Sequence, residues 1–241
     1  MTLHGKRVVI VGGSSGIGLA VADVALREGA KVFIGSSRKA TVDGAVASLG
    51  AGANGFVIDV TDEASVKAAF AAIGPFEHLV FTAGDWSGAG RGDFGTLDLE
   101  ASKAVFAVRY WGAVAVVKHA HASLPPGGSI TLTDGMYAHR PGKGAALTTS
   151  MLAAVENLAR GLAVELAPVR VNCVCPGLIQ TSAWDTIPAD QREERLSKMT
   201  SRLPLPRPGQ PWEAAEAYLY LMRGGYTTGQ VLRVDGGGSL V

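Results

Sequence analysis

The chain has 241 residues, 47% of them hydrophobic and 18% charged, enough for one large α/β domain with a well-buried core and short for two. Lys and Arg number 22 against 21 Asp and Glu, a net charge of +1, and no basic run or aromatic-basic interleaving occurs, so the pattern speaks against nucleic acid and for a small-molecule partner. No apolar run reaches membrane-span length, and MTLHGKRVVIVGG puts its first apolar run before glycines rather than a cleavage site; no membrane partner is expected, and the chain is read as cytoplasmic.

In chain order, short β-branched runs alternate with Ala-rich segments of helical spacing. The runs are RVVIV at 7–11, KVFIG at 31–35, GFVID at 55–59, HLVFT at 78–82, SITLT at 129–133, VRVNCVC at 169–175 and QVLRV at 230–234. Strands this apolar on both faces, with helices between them, predict a doubly wound α/β fold around a seven-stranded parallel sheet, a Rossmann fold. Residues 1–241 are read as one domain. Gly and Pro clusters at 84–95, 125–128, 141–144 and 204–211 read as loops. A longer irregular stretch, about 182–210, follows a strand's carboxyl end, where it serves either as a lid over the ligand or as an ordinary surface excursion.

VVIVGGSSGIGLA follows the first strand and opens a helix. Gly12, Ser14, Ser15, Gly16, Ile17 and Gly18 form a turn in which backbone amides and a helix N-terminus can approach a pyrophosphate. After the second strand comes GSSRK, without Asp or Glu. Ser36, Ser37 and Arg38 suit a ribose 2′-phosphate, since arginine offers charge-assisted bidentate bonds, and NADP(H) is the expected cofactor. Cys173 and Cys175 are read as buried small residues pointing to opposite sheet faces. His119 and His121, two apart on a helix, do not share a face, and no metal site is expected.

These motifs resemble those of the short-chain dehydrogenase/reductase family over nearly the full length. The fingerprint T-G-x-x-x-G-x-G matches from Gly12, with Val11 in the threonine's place. Asp59-Val60 is similar to the family's adenine-contacting pair, Ala83-Gly84 to the end of N-N-A-G, Pro176-Gly177 with Thr181 to the nicotinamide-side P-G-x-x-x-T, and VDGGGSLV to the usual carboxyl end. The resemblance implies a homodimer or homotetramer.

The family's chemistry uses Ser, Tyr and Lys, with Y-x-x-x-K on one helix face so that the ammonium lowers the phenol's pKa. Anchored on AAVENLARGLAVELAP, the lysine position is Leu152 and the tyrosine position Thr148; GGSITLT puts Gly135 at the serine, and FAVRYWG puts Arg109 at the structural asparagine. Tyr137 and Lys143 lie six apart across Pro141-Gly142 and cannot replace the pair. Asp134 and Arg109 supply opposite charges near the expected nicotinamide pocket, either as catalytic groups or as a structural bridge. If the two lie within about 4–6 Å, Asp134 should stay ionised and favour a cationic substrate; strong burial with Arg109 elsewhere would reverse that role. The expected activity is hydride transfer to an imine, iminium or activated alkene, near Trp86, Tyr137 and Trp184. The alternatives are an inactive NADP(H) sensor or regulator and a non-redox cyclase or isomerase.

Overall fold

The computed structural model describes residues 2–85 and 90–241, so Trp86 lies outside the described residues. Seven strands, β1 (Arg7–Val11), β2 (Lys31–Ser36), β3 (Ala53–Val57), β4 (His78–Phe81), β5 (Ser129–Thr133), β6 (Arg170–Pro176) and β7 (Val231–Val234), form one sheet in the order β3-β2-β1-β4-β5-β6-β7. All six pairings are parallel. The order reverses between β1 and β4, the switch point at which doubly wound sheets open a ligand crevice beyond the carboxyl ends of their strands.

The helices are α1 (Gly16–Arg27), α2 (Lys39–Leu49), α3 (Glu63–Ile73), α4 (Leu99–Ser102), α5 (Gly112–Ala120), α6 (Ala146–Glu165), α7 (Ala189–Thr200) and α8 (Pro211–Arg223). Val66 and Phe70 of α3, Val116 of α5 and Val155 and Ala159 of α6 bury one sheet face; Val21 and Ala25 of α1, Ala45 of α2 and Leu219 and Leu221 of α8 bury the other. With both faces covered, β4, β5 and β6 are buried at every position, the polar Ser129, Thr131 and Asn172 included. Helix ends follow local chemistry. Asp62 accepts the Ala64 amide at 3.0 Å to start α3, and Glu213 accepts the Gln210 amide at 2.8 Å while Pro211 opens α8.

Three sequence expectations change. The stretch 182–210 is not irregular: it holds a 3-10 turn, Ser182–Thr186, and the twelve-residue α7, whose charged sequence ADQREERLSKMT buries only Leu196 and Thr200. Strand β3 ends at Val57, so Asp59 belongs to the turn into α3. Cys173 and Cys175 do not part to opposite faces, because alternation separates neighbours and returns every second residue; Cys173 joins the core under α6, and Cys175 meets side chains of the same layer.

Candidate active site

The β1–α1 turn is held by close approaches that only glycine permits. Gly12 has φ 91°, and a Cβ there would lie 2.5 Å from the Ala83 amide nitrogen; a Cβ on Gly18 would lie 2.3 Å from the Gly12 carbonyl oxygen. Thr82 Oγ1 donates to that carbonyl at 3.1 Å and so pins the turn to the end of β4. Ser15 caps α1 without a side-chain hydrogen bond, and the first turn of α1 carries no acidic residue. The helix therefore presents unsatisfied amides and its positive end to the crevice, which fits a pyrophosphate.

Other expected cofactor residues border the same crevice. Pro176 ends β6, a Cβ on Gly177 would lie 2.6 Å from Asp235 Cα, and a Cβ on Gly16 would lie 3.3 Å from Thr181 Cβ. The segment after β6 thus reaches the glycine turn. Ser36 ends β2, with Ser37 and Arg38 exposed beyond it. Arg38 caps α2 and its guanidinium pairs with no described residue, while the acid nearest in sequence, Asp43, is engaged by Lys39 at 2.7 Å. Asp59 accepts from Thr61 Oγ1 at 2.7 Å and Thr61 N at 2.9 Å, bonds that hold its carboxyl below the usual range. Val60 is buried against Gly112.

At the end of β5, a Cβ on Gly135 would meet Leu152 Cδ1 at 3.5 Å, and Thr148 lies buried one turn earlier on α6. These positions converge, yet they present a methyl-bearing hydroxyl and an isobutyl group where a phenol and an ammonium would be needed. Tyr137 occupies a 3-10 turn, Met136–Ala138, and Lys143 lies exposed in the loop before α6, so the two share no helix face. Arg91 stacks over the Tyr137 ring at 5.4 Å. Trp184 Nε1 donates to the Ile179 carbonyl at 3.0 Å.

Arg109 lies buried in a π-helical turn, Ala107–Trp111, a wide turn that interrupts the run toward α5 and aims its side chain at the sheet edge. Its Nη1 donates to the backbone carbonyls of Thr133 and Asp134, both at 3.1 Å, and a Cβ on Gly84 would fall 2.1 Å from Nη2. Arg109 therefore clamps main chain at the crevice floor and does not pair with the Asp134 carboxyl. The expectation of an ionised Asp134 is corrected. That side chain is 2% exposed, and burial, followed by the neighbouring Glu156 carboxyl, raises its pKa and favours the neutral form.

Around Asp134 lie three groups that sequence reading did not assemble: Glu156 of α6, His139 of the loop after β5, and Cys175 of β6. Their ligand atoms all lie within 4.8 Å of one another. Only Glu156 carried a signal, as a carboxylate on the buried face of AAVENLARGLAV. Thr82 was likewise missed, since a threonine ending a strand has many ordinary roles.

A doubly wound sheet with a glycine turn opening on its switch point defines a dinucleotide-binding oxidoreductase scaffold. The chain belongs to the short-chain dehydrogenase/reductase family: residues 11–239 match the sequence model of the family described as enoyl-(acyl carrier protein) reductase. It is 33% identical to the short-chain dehydrogenase/reductase ATR9 of Stachybotrys chlorohalonatus over 257 residues, covering 99% of each chain. Among solved structures it is similar to the MalC reductase/Diels-Alderase of Malbranchea aurantiaca, with TM-score 0.92, 31% identity and coverage of 99% and 98%. It is also similar to an NADPH-bound short-chain oxidoreductase of Pseudomonas aeruginosa PAO1 described as containing an atypical catalytic center, with TM-score 0.88, 29% identity and 96% of each chain. Among the described residues no helix is long and apolar enough to cross a membrane.

Proposed function

We propose that this oxidoreductase uses NADP(H) to reduce an activated alkene, a carbon-carbon double bond conjugated to a carbonyl group. When bound, the dinucleotide supplies the hydride. The observation that carries the reading is the floor of the crevice, where the buried Arg109 guanidinium stands beside Gly84 and the positions expected to bear a phenol and an ammonium hold Thr148 and Leu152. Hydride addition to an activated alkene places negative charge on the conjugated oxygen, and a fixed cation in a low-dielectric site stabilises that charge. A simple ketone would instead need a positioned proton donor, help worth roughly 10²- to 10⁴-fold. With Asp134 buried and its neutral form favoured, the support for a cationic iminium substrate weakens.

In this reading Gly12, Ser14, Ser15, Gly16, Ile17 and Gly18 hold the pyrophosphate, Ser36, Ser37 and Arg38 take the 2′-phosphate, and Asp59 and Val60 border the adenine. Ala83, Gly84, Pro176, Gly177 and Thr181 border the nicotinamide end. Arg109 stabilises charge, and Asp134 positions the β5 end that Arg109 clamps. The NADPH-bound relative with an atypical catalytic center supports the cofactor assignment. A second reading, cyclisation without net redox change, is favoured by the likeness to a reductase/Diels-Alderase.

The test is NADPH consumption over a panel of enones, cyclic imines and ketones, with product analysis in parallel. Saturated product from enones, and ketone rates at least a hundredfold lower, is the expected result. Ketone turnover equal to that of enones would overturn the reading. Cyclised product at constant NADPH absorbance would replace it with the second.

A further inference from the structure

Behind the crevice floor, four potential metal ligands come from four separate places: Asp134 just past β5, His139 after the Met136–Ala138 turn, Glu156 in α6 and Cys175 in β6. Asp134, Glu156 and Cys175 are buried and His139 is partly so. Neither oxygen of the Asp134 carboxyl, in a residue 2% exposed, has a donor in full hydrogen-bond geometry; its polar neighbours are the Glu156 carboxyl and the Cys175 thiol. His139 Nε2 and Glu156 Oε1 stand 2.6 Å apart, yet neither completes a hydrogen bond. Buried polar atoms without partners are uncommon and costly, and here four such atoms belong to one cluster whose donor groups lie within 4.8 Å of one another. A cation within that cluster would give Asp134, His139 and Glu156 a shared partner.

We propose that Asp134, His139, Glu156 and Cys175 form a binding site for one divalent transition-metal ion of the Zn²⁺ type. One thiolate, one imidazole and two carboxylates make a mixed sulfur, nitrogen and oxygen set, which excludes Mg²⁺ and Ca²⁺ and suits tetrahedral Zn²⁺. Bonds of about 2.0–2.3 Å place tetrahedral ligands roughly 3.3–3.8 Å apart. The donors need only small shifts to reach this: the 2.6 Å His139–Glu156 contact opens and the widest separation, within 4.8 Å, contracts. As the ion enters, the Cys175 thiol and the protonated carboxyl release their protons to solvent. The anionic donors outweigh a divalent charge; Arg160, 3.5 Å from Glu156 Oε2, and Arg109, on the Asp134 carbonyl, offset the excess.

With all four ligands supplied by protein, the site is closed, as structural zinc sites are. It would tie the loop that carries Tyr137 to α6 and β6, giving metal control over one wall of the crevice. The proposal does not depend on which substrate the crevice accepts.

The experiment exposes chelator-treated protein to Co²⁺ and to Zn²⁺ separately. One equivalent of Co²⁺ should bind with tetrahedral visible absorption and a thiolate charge-transfer band, Zn²⁺ should displace it, and the thermal midpoint should rise with either ion. Cys175→Ser should abolish the charge-transfer band, and His139→Ala should weaken Co²⁺ binding at least tenfold. Circular dichroism and NADPH binding identify which variants are folded; His139, only partly buried, is the milder change should Cys175→Ser not fold. Absence of stoichiometric uptake by the wild type would overturn the proposal and leave Asp134 and Glu156 sharing a proton. Uptake unaltered in a folded His139→Ala or Cys175→Ser variant would place the ion elsewhere and overturn it equally.

Discussion

Arg38 and Arg109 show how little a residue type says without its contacts. Arg38 is exposed and unpaired among the described residues, beside two serines and with Asp43 already engaged by Lys39. A 2′-phosphate is the ligand such a group lacks. Arg38→Ala should therefore cost NADPH about 1.5–3 kcal/mol, roughly 10- to 150-fold in affinity, and leave NADH nearly unchanged. Titration of both cofactors into both proteins checks this, and equal wild-type affinities for the two would refute it. Arg109 is the opposite case, buried, with its Nη1 held by the carbonyls of Thr133 and Asp134 and its Nη2 beside Gly84. A methyl group at Gly84 would land 2.1 Å from its Nη2, so Gly84→Ala should expel the guanidinium and destabilise the fold by about 1.5–3 kcal/mol. Placed in an Arg109→Ala background, the same change should cost far less; additive losses in denaturant titrations would show that the clash is not the cause. For Tyr137 and Lys143, separated by a turn and a loop, Tyr137→Phe and Lys143→Ala should each change turnover less than tenfold, under about 1.4 kcal/mol in barrier. A thousandfold loss with cofactor binding retained would make them a rebuilt pair.

At the scale of elements, the sheet was legible because its burial on both faces writes itself into the chain as apolar runs, and β1, β2 and β5 fall within a residue of their expected ends. Helix α7 was not legible, since a helix burying two side chains has almost no apolar period to read. The glycine turn was legible through its spacing. The Asp134, His139, Glu156 and Cys175 cluster was not, because four elements supply one residue each and no spacing rule links them. Strand β4 hides another such case. His78 is buried, its Nδ1 2.9 Å from Ser129 Oγ, and burial, followed by the charge of Arg170, lowers its pKa to about 4. The folded state keeps the imidazole neutral, whereas the unfolded chain takes up a proton below about pH 6.5. Its contribution to stability is thus complete above pH 6.5 and is lost as pH falls toward 4, by about 2.5 kcal/mol at pH 4.5. In His78→Asn the gap between urea-unfolding free energies at pH 7 and pH 4.5 should narrow by that amount relative to wild type. An unchanged gap would mean the imidazole is protonated in the folded state.

At the scale of the whole molecule, the two sides of the crevice belong to distant parts of one chain. Gly16 begins α1 near the amino end, Thr181 follows β6, and their Cβ positions would stand 3.3 Å apart. A dinucleotide lying across this junction binds the folded arrangement and not the unfolded chain, so at a hundred times its Kd it should add about 2.7 kcal/mol to stability. The segment beyond Thr181 should respond most. Helix α7 buries only Leu196 and Thr200, and its amino-terminal approach is held by Thr181 Oγ1 accepting the Ala183 amide at 3.3 Å and by the Arg192–Asp185 pair at 2.7 Å. Few buried contacts make a segment that opens locally at low cost. Limited proteolysis should therefore cut first between residues 182 and 200 in the free protein, and saturating NADPH should slow that cleavage more than it slows cleavage elsewhere. If NADPH protects the whole chain uniformly, the segment is a surface excursion that opens only with global unfolding; if protection is confined to 182–200, the same residues act as the cover that the crevice needs to exclude water from the transferred hydride.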